Sequence, residues 1–121
     1  MNTTIASIYP VNIISNSNFE AAVLSTEKPV LLMCAPGGRD CTQQTGVLKA
    51  ISRLYPDSVE VCRLEEGFIN GFKQMYTIKG TPIFLLLHRG REIGRLLGMA
   101  DEDRLRDFLE EHLPPVSANP G

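Results

Sequence analysis

The sequence predicts an α/β domain with a central mixed β-sheet flanked by helices on both faces. Three observations predict it. "PVLLMCA", residues 29 to 35, is an unbroken apolar run of strand length bounded by prolines, which suits a strand buried on both faces in the middle of a sheet. Helically spaced apolar residues follow that run and the next strand-like stretch, the pattern of strands joined by helices. "PIFLLLHRGREIGRLLG" then reads as two strands meeting at Arg89-Gly90, an antiparallel hairpin.

Length and composition set the outer bounds. With 121 residues, 43% of them hydrophobic, the chain is one domain spanning 1–121, with a core at about 17–113 and a flexible tail at 114–121. Twelve basic and 14 acidic residues are scattered rather than blocked, so no nucleic-acid footprint follows. The N-terminal "MNTTIASIYPVNII" has neither a basic segment nor a long apolar core. The longest apolar run, "IFLLL", is far short of the ~20 residues that a membrane helix needs. The expectation is a cytoplasmic protein without membrane contact. Cys34, Cys41 and Cys62, with only His88 and His112, give no zinc-like spacing, so neither a metal nor another cofactor is expected.

Taken in order, Ser17-Asn18-Phe19-Glu20 has the form of a capping box and predicts a helix that ends near Ser25, ahead of Pro29. After the strand at 29–35, a helix runs from about Arg39 to Tyr55, with Val47, Leu48, Ile51 and Leu54 on one face. Gly46 weakens it by about 1 kcal/mol relative to alanine. "SVEVCRL" at 58–64 alternates as a second core strand, and helical spacing resumes through Phe68, Phe72 and Met75. The hairpin follows. Asp101 is a good N-cap for a last helix carrying Leu105, Phe108 and Leu109, which Pro114-Pro115 stops.

Together, "KPVLLMCAP" leading into a helix, "GTPIFLLLHRGREIGRLLG" and the final "DRLRDFLEEHL" resemble thioredoxin over roughly residues 17 to 113. The family's segment runs W-A-P-W-C-G-P-C. Laid on this chain, it puts Cys34 at the first tryptophan, Gly37 at the second, Gly38 at the first cysteine and Cys41 at the second. The resemblance also puts Leu32 where the family keeps a buried acidic residue, and Gly46 where it commonly carries a kinking proline. It implies a cis Thr81-Pro82 bond lying against the active-site loop.

The departure from the pattern bears on chemistry. In C-x-x-C the first sulfur sits at a helix N-terminus, where free amides and the helix dipole favour thiolate, and attacks a substrate disulfide; the second sulfur resolves the mixed disulfide. Here the motif is Gly38-Arg39-Asp40-Cys41, and the attacking position carries no sulfur. For Cys41, Arg39 and the first helical turn favour thiolate, whereas Asp40 and burial oppose it. Cys34 is either a substitute partner for Cys41 or a small apolar filler, and a bridge needs Cα atoms within about 7 Å. Cys62 reads as a packing cysteine, His88 as part of a solvated turn and His112 as a complement to a helix dipole.

Two functions of different class follow. One is a binding or assembly module that takes a protein or an extended peptide beside Thr81-Pro82 by β-augmentation, with Gly37, Gly38, Arg39 and Gly98 around it. Family members that lost their cysteines and serve as assembly factors, some in hydrogenase maturation, belong to this class. The other is an atypical thiol-disulfide oxidoreductase of cell redox homeostasis, using Cys41 alone or a Cys34/Cys41 pair. A structural role as a subunit of a larger assembly is a third reading that the sequence does not separate from the first.

Overall fold

A computed structural model describes residues 11–114. It holds a five-stranded sheet in the order β1-β3-β2-β4-β5. The strands are β1 (Asn12–Ile14), β2 (Val30–Cys34), β3 (Glu60–Leu64), β4 (Ile83–His88) and β5 (Arg91–Leu97). β1, β3 and β2 run parallel, while β4 is antiparallel to both β2 and β5. The helices are α1 (Glu20–Leu24), α2 (Arg39–Leu54), α3 (Ile69–Met75) and α4 (Glu102–His112), with a 3-10 turn at Glu66–Phe68 leading into α3. The sheet thus begins at Asn12, five residues ahead of the expected start of the core. The expected tail from 115 onward lies outside the described residues, as do residues 1–10. No helix among the described residues is long and apolar enough to cross a membrane.

β2 explains the two-sided core. Val30, Leu32 and Cys34 point to one face, with Val23 of α1 and Phe68, Ile69 and Phe72 of the α3 segment. Leu31, Met33 and Ala35 point to the other, against Leu48 and Ile51 of α2 and Leu105, Phe108 and Leu109 of α4. All five β2 residues are buried, as expected for a middle strand with both faces covered. β3 is buried on both faces too, with Val61 on the α2 side and Cys62 and Leu64 on the α3 side. Phe19, Phe68 and Phe72 meet edge to face at 5.6 to 6.3 Å between ring centroids, a geometry that matches positive ring edges to negative faces.

Two local expectations need correction. Ser17 does not cap a helix; its hydroxyl meets that of Ser15 at 2.9 Å. Asn18 organises the turn instead, accepting from the Ser15 amide at 2.8 Å and donating to the Ile13 carbonyl at 3.0 Å. α1 therefore starts at Glu20 and closes with a wide turn, Ser25 N–H donating to the Glu20 carbonyl five residues back. In α2, Leu54 is 48% exposed, and Gln44 takes a core position that the apolar pattern did not mark.

The hairpin and the last helix follow their local chemistry. Arg89 (φ 55°) and Gly90 (φ 84°) both take left-handed backbone, the twist that matches a tight β4-β5 connection. Asp101 caps α4 by accepting from the Arg104 amide at 2.9 Å. His88 is not simply solvated, for its Nε2 lies 3.0 Å from the Glu27 carbonyl.

Gln44 links α2 to the segment after β5. Its Nε2 donates to the Ala100 carbonyl and its Oε1 accepts from the Ala100 amide, both at 2.8 Å, and both residues are buried. Removing the side chain strands a buried donor and a buried acceptor, each a loss of about 1–3 kcal/mol. Gln44→Ala is expected to lower unfolding stability by about 2–4 kcal/mol in urea titration, with relaxation of both ends of the link.

Candidate functional site

The C-terminal end of β2 leads through Ala35-Pro36 into an exposed loop and then into α2. Gly38 is the residue before the helix, at φ 121° and ψ −163°. That region of backbone space is open essentially to glycine alone. A Cβ at this position meets nothing within 4 Å, so the constraint is the backbone and not crowding. Beyond it, the Gly38 carbonyl accepts from the Thr42 amide at 3.0 Å and the Thr42 hydroxyl at 3.1 Å. The Thr45 hydroxyl donates to the Cys41 carbonyl at 2.7 Å. These bonds fix the first two turns of α2.

Facing this loop is the turn before β4. The Thr81-Pro82 peptide bond is cis, and the Pro82 carbonyl accepts from the Gly98 amide at 2.8 Å. Gly98 has φ 102°, which lets the chain turn away from β5 toward Ala100. Between the two loops lies a groove of about 440 Å³, with Pro36, Gly37, Arg39 and Asp40 on one wall and Thr81 and Pro82 on the other. Among the described residues, neither backbone polar group of Thr81 has a hydrogen-bond partner, and neither Arg39 nor Asp40 is in an ion pair.

The structure brings together Gly37, Arg39, Thr81 and Pro82, with Gly98 bracing the proline loop from behind. It does not bring the cysteines together. Cys34 is fully buried on the α1/α3 face, whereas Cys41 is half-buried and packs on the α2/α4 face, so the sheet lies between them. All three cysteines are free. Burial pushes the Cys34 thiol up to about 11, partly offset by the Lys73 charge, and pushes Cys62 up to about 12 with help from Glu60. Near neutral pH burial thus disfavours thiolate at both, and of the two readings of Cys34, partner for Cys41 or apolar filler, its place in the core cluster with Leu32, Phe72 and Leu85 fits the filler. Leu32, where the resemblance implies an acid, is fully buried among Cys34, Leu85 and Phe72.

Glu66 is a site residue that the sequence did not disclose. Its Oε2 accepts from the Gly37 amide at 3.2 Å, across 29 residues. The same oxygen stands 2.9 Å from where a Cβ at position 37 would be, so the carboxylate occupies the space of the missing side chain. Glycine at 37 was the available signal, but the partner sits on a 3-10 turn with no pattern to mark it. Gln44 is the other omission, because a polar residue within an apolar helix face reads as solvent-exposed.

The thioredoxin family model matches residues 10–111. Thioredoxin C-2 of Corynebacterium nephridii is 26% identical over 104 residues, covering 82% of this chain and 93% of that protein. The thioredoxin of Acidithiobacillus ferridurans is 28% identical over 105 residues, covering 83% and 94% respectively. That of Pseudomonas aeruginosa is 25% identical over 105 residues, with the same coverage.

Two outcomes are expected from this geometry. Gly38→Ala should destabilise the fold by about 1–3 kcal/mol in denaturant unfolding despite the open space around it, because the backbone must move. In native protein below pH ~9, iodoacetamide should label Cys41, while Cys34 and Cys62 become labelled only on unfolding; mass mapping of the alkylated peptides reads this directly.

Proposed function

The chain belongs to the thioredoxin family, and on that premise we propose that it is a peptide- or protein-binding module, acting in the cytoplasm, that takes an extended segment into the groove between Gly37–Asp40 and Thr81-Pro82. The observation that carries this reading is Gly38. A residue without a side chain, in backbone that suits glycine, stands where the family resemblance places the attacking sulfur. Neither remaining buried cysteine substitutes for it, since Cys34 is on the opposite face of the sheet and Cys62 is in the core.

The groove itself is supported independently of sulfur. The N–H and C=O of Thr81 have no partner among the described residues, and an extended peptide laid alongside offers both a carbonyl and an amide. Pro36 and Pro82 supply apolar walls of fixed backbone, so little conformational freedom is lost when a ligand enters.

A second reading is favoured by one observation: Cys41 is the cysteine that is not fully buried, in the first turn of α2 and next in sequence to the groove-lining Asp40. It assigns Cys41 a monothiol redox role, in keeping with relatives named thioredoxin. The two readings part on one variant. On titrating isotope-labelled protein with an extended apolar peptide, amide shifts are expected at Gly37, Arg39 and Thr81, and Cys41→Ser should keep the affinity within about twofold. Shifts confined to other surfaces would remove the binding reading, and loss of function in Cys41→Ser would move the assignment to the thiol.

A further inference from the structure

Resting on the groove reading, we propose that Glu66 is a positioning residue, whose carboxylate holds the Pro36-Gly37 wall of the groove in the shape that an extended segment meets. Little else holds these two residues. Pro36 has no amide to donate, and the Gly37 carbonyl has no partner among the described residues. The bond from the Gly37 amide to Glu66 Oε2, 3.2 Å long, is the one hydrogen bond that residues 36 and 37 make there. The Glu66 carboxylate is in no ion pair among the described residues, so no cation draws it away from that amide.

Glu66 can serve as a post because its own backbone is anchored. It opens the 3-10 turn at Glu66–Phe68, in which the Phe68 amide donates to the Glu65 carbonyl at 2.9 Å. The Glu65 amide donates to the Ile14 carbonyl at 2.8 Å and ties the turn to the end of β1. Phe68 is buried in the cluster that holds Phe19 and Phe72. The side chain of Glu66 thus reaches from an anchored turn to an otherwise unheld loop, and the β1 and α3 segments set where that loop stands.

The two adjacent glycines answer to different demands. At Gly38 the backbone requires glycine, with φ 121° and nothing within 4 Å of a Cβ. Gly37 is the reverse case: its φ is not in the left-handed region, yet a Cβ there would stand 2.9 Å from Glu66 Oε2 and 3.4 Å from Cδ. What excludes a side chain at 37 is the carboxylate. A methyl group at that position evicts the end of a flexible side chain rather than straining the loop, so Gly37 and Glu66 are two handles on one contact. A wall held in place before the ligand arrives leaves less freedom to be lost on binding.

The test uses the full chain, isotope-labelled, and reads both solvent exchange of the Gly37 amide in the free protein and affinity for the extended apolar peptide. Glu66→Ala is expected to speed that exchange about three- to tenfold and to weaken the peptide by a similar factor, with core amides such as Leu85 exchanging as in the wild type. Glu66→Gln keeps an oxygen acceptor and should recover part of both effects. Gly37→Ala should weaken the peptide as Glu66→Ala does, and the double variant should add less than about twofold, because both changes break the same contact. Wild-type exchange at Gly37 in Glu66→Ala overturns the tether. Faster exchange with unchanged affinity overturns the positioning role and leaves the groove reading standing, and so does a loss of affinity matched by faster exchange at the core amides. A wild-type chain that binds no peptide removes the groove reading and this role of Glu66 with it.

Discussion

The paired hydrogen bonds between the Gln44 amide and the Ala100 backbone are the constraint on which the site depends. Ala100 lies three residues past the end of β5, where the sheet no longer supplies a neighbour for its backbone. A primary side-chain amide presents an N–H and its C=O on the same side, so Gln44 meets both the C=O and the N–H of Ala100, as a neighbouring strand residue would. Because Gln44 is only one to two turns into α2, the start of that helix is fixed relative to the end of β5. The Gly98 amide on the Pro82 carbonyl then ties the same segment to the proline loop. Three stretches far apart in the chain become one rigid frame.

That frame shapes a groove with no thiol in its walls. They are formed by Pro36, Gly37, Arg39 and Asp40 on one side and Thr81 and Pro82 on the other. With glycine at 38 and leucine at 32, the chain presents a shaped cleft. Around Leu32 the interior is apolar, and the Glu66 carboxylate stands outside it, accepting from the Gly37 amide.

Much of the architecture was legible in the sequence because it rests on local signals. The double-sided strand announced itself as PVLLMC, the hairpin turn as Arg89-Gly90 and the last helix as Asp101 followed by apolar spacing. The capping box failed because Asn18, with both a donor and an acceptor, bridges Ser15 and Ile13, while the Ser17 hydroxyl turns to that of Ser15. β1 was harder to see: three residues with only Ile14 fully buried are too short for a period to show. Within the site, loop residues adjacent in sequence could be read from the family pattern. Glu66 and Gln44 could not, because each acts on a partner dozens of residues away through a single side chain.

The placement of the thiols has a consequence for how this chain meets an oxidant. The sheet stands between Cys41 and the other two sulfurs, and both of those are sealed in the core of the opposite layer. Cys41 is the sulfur that an oxidant or a thiol in solution meets first, because it is half-buried while the other two are enclosed, so an early oxidation of the native chain is written at its surface and not in its core.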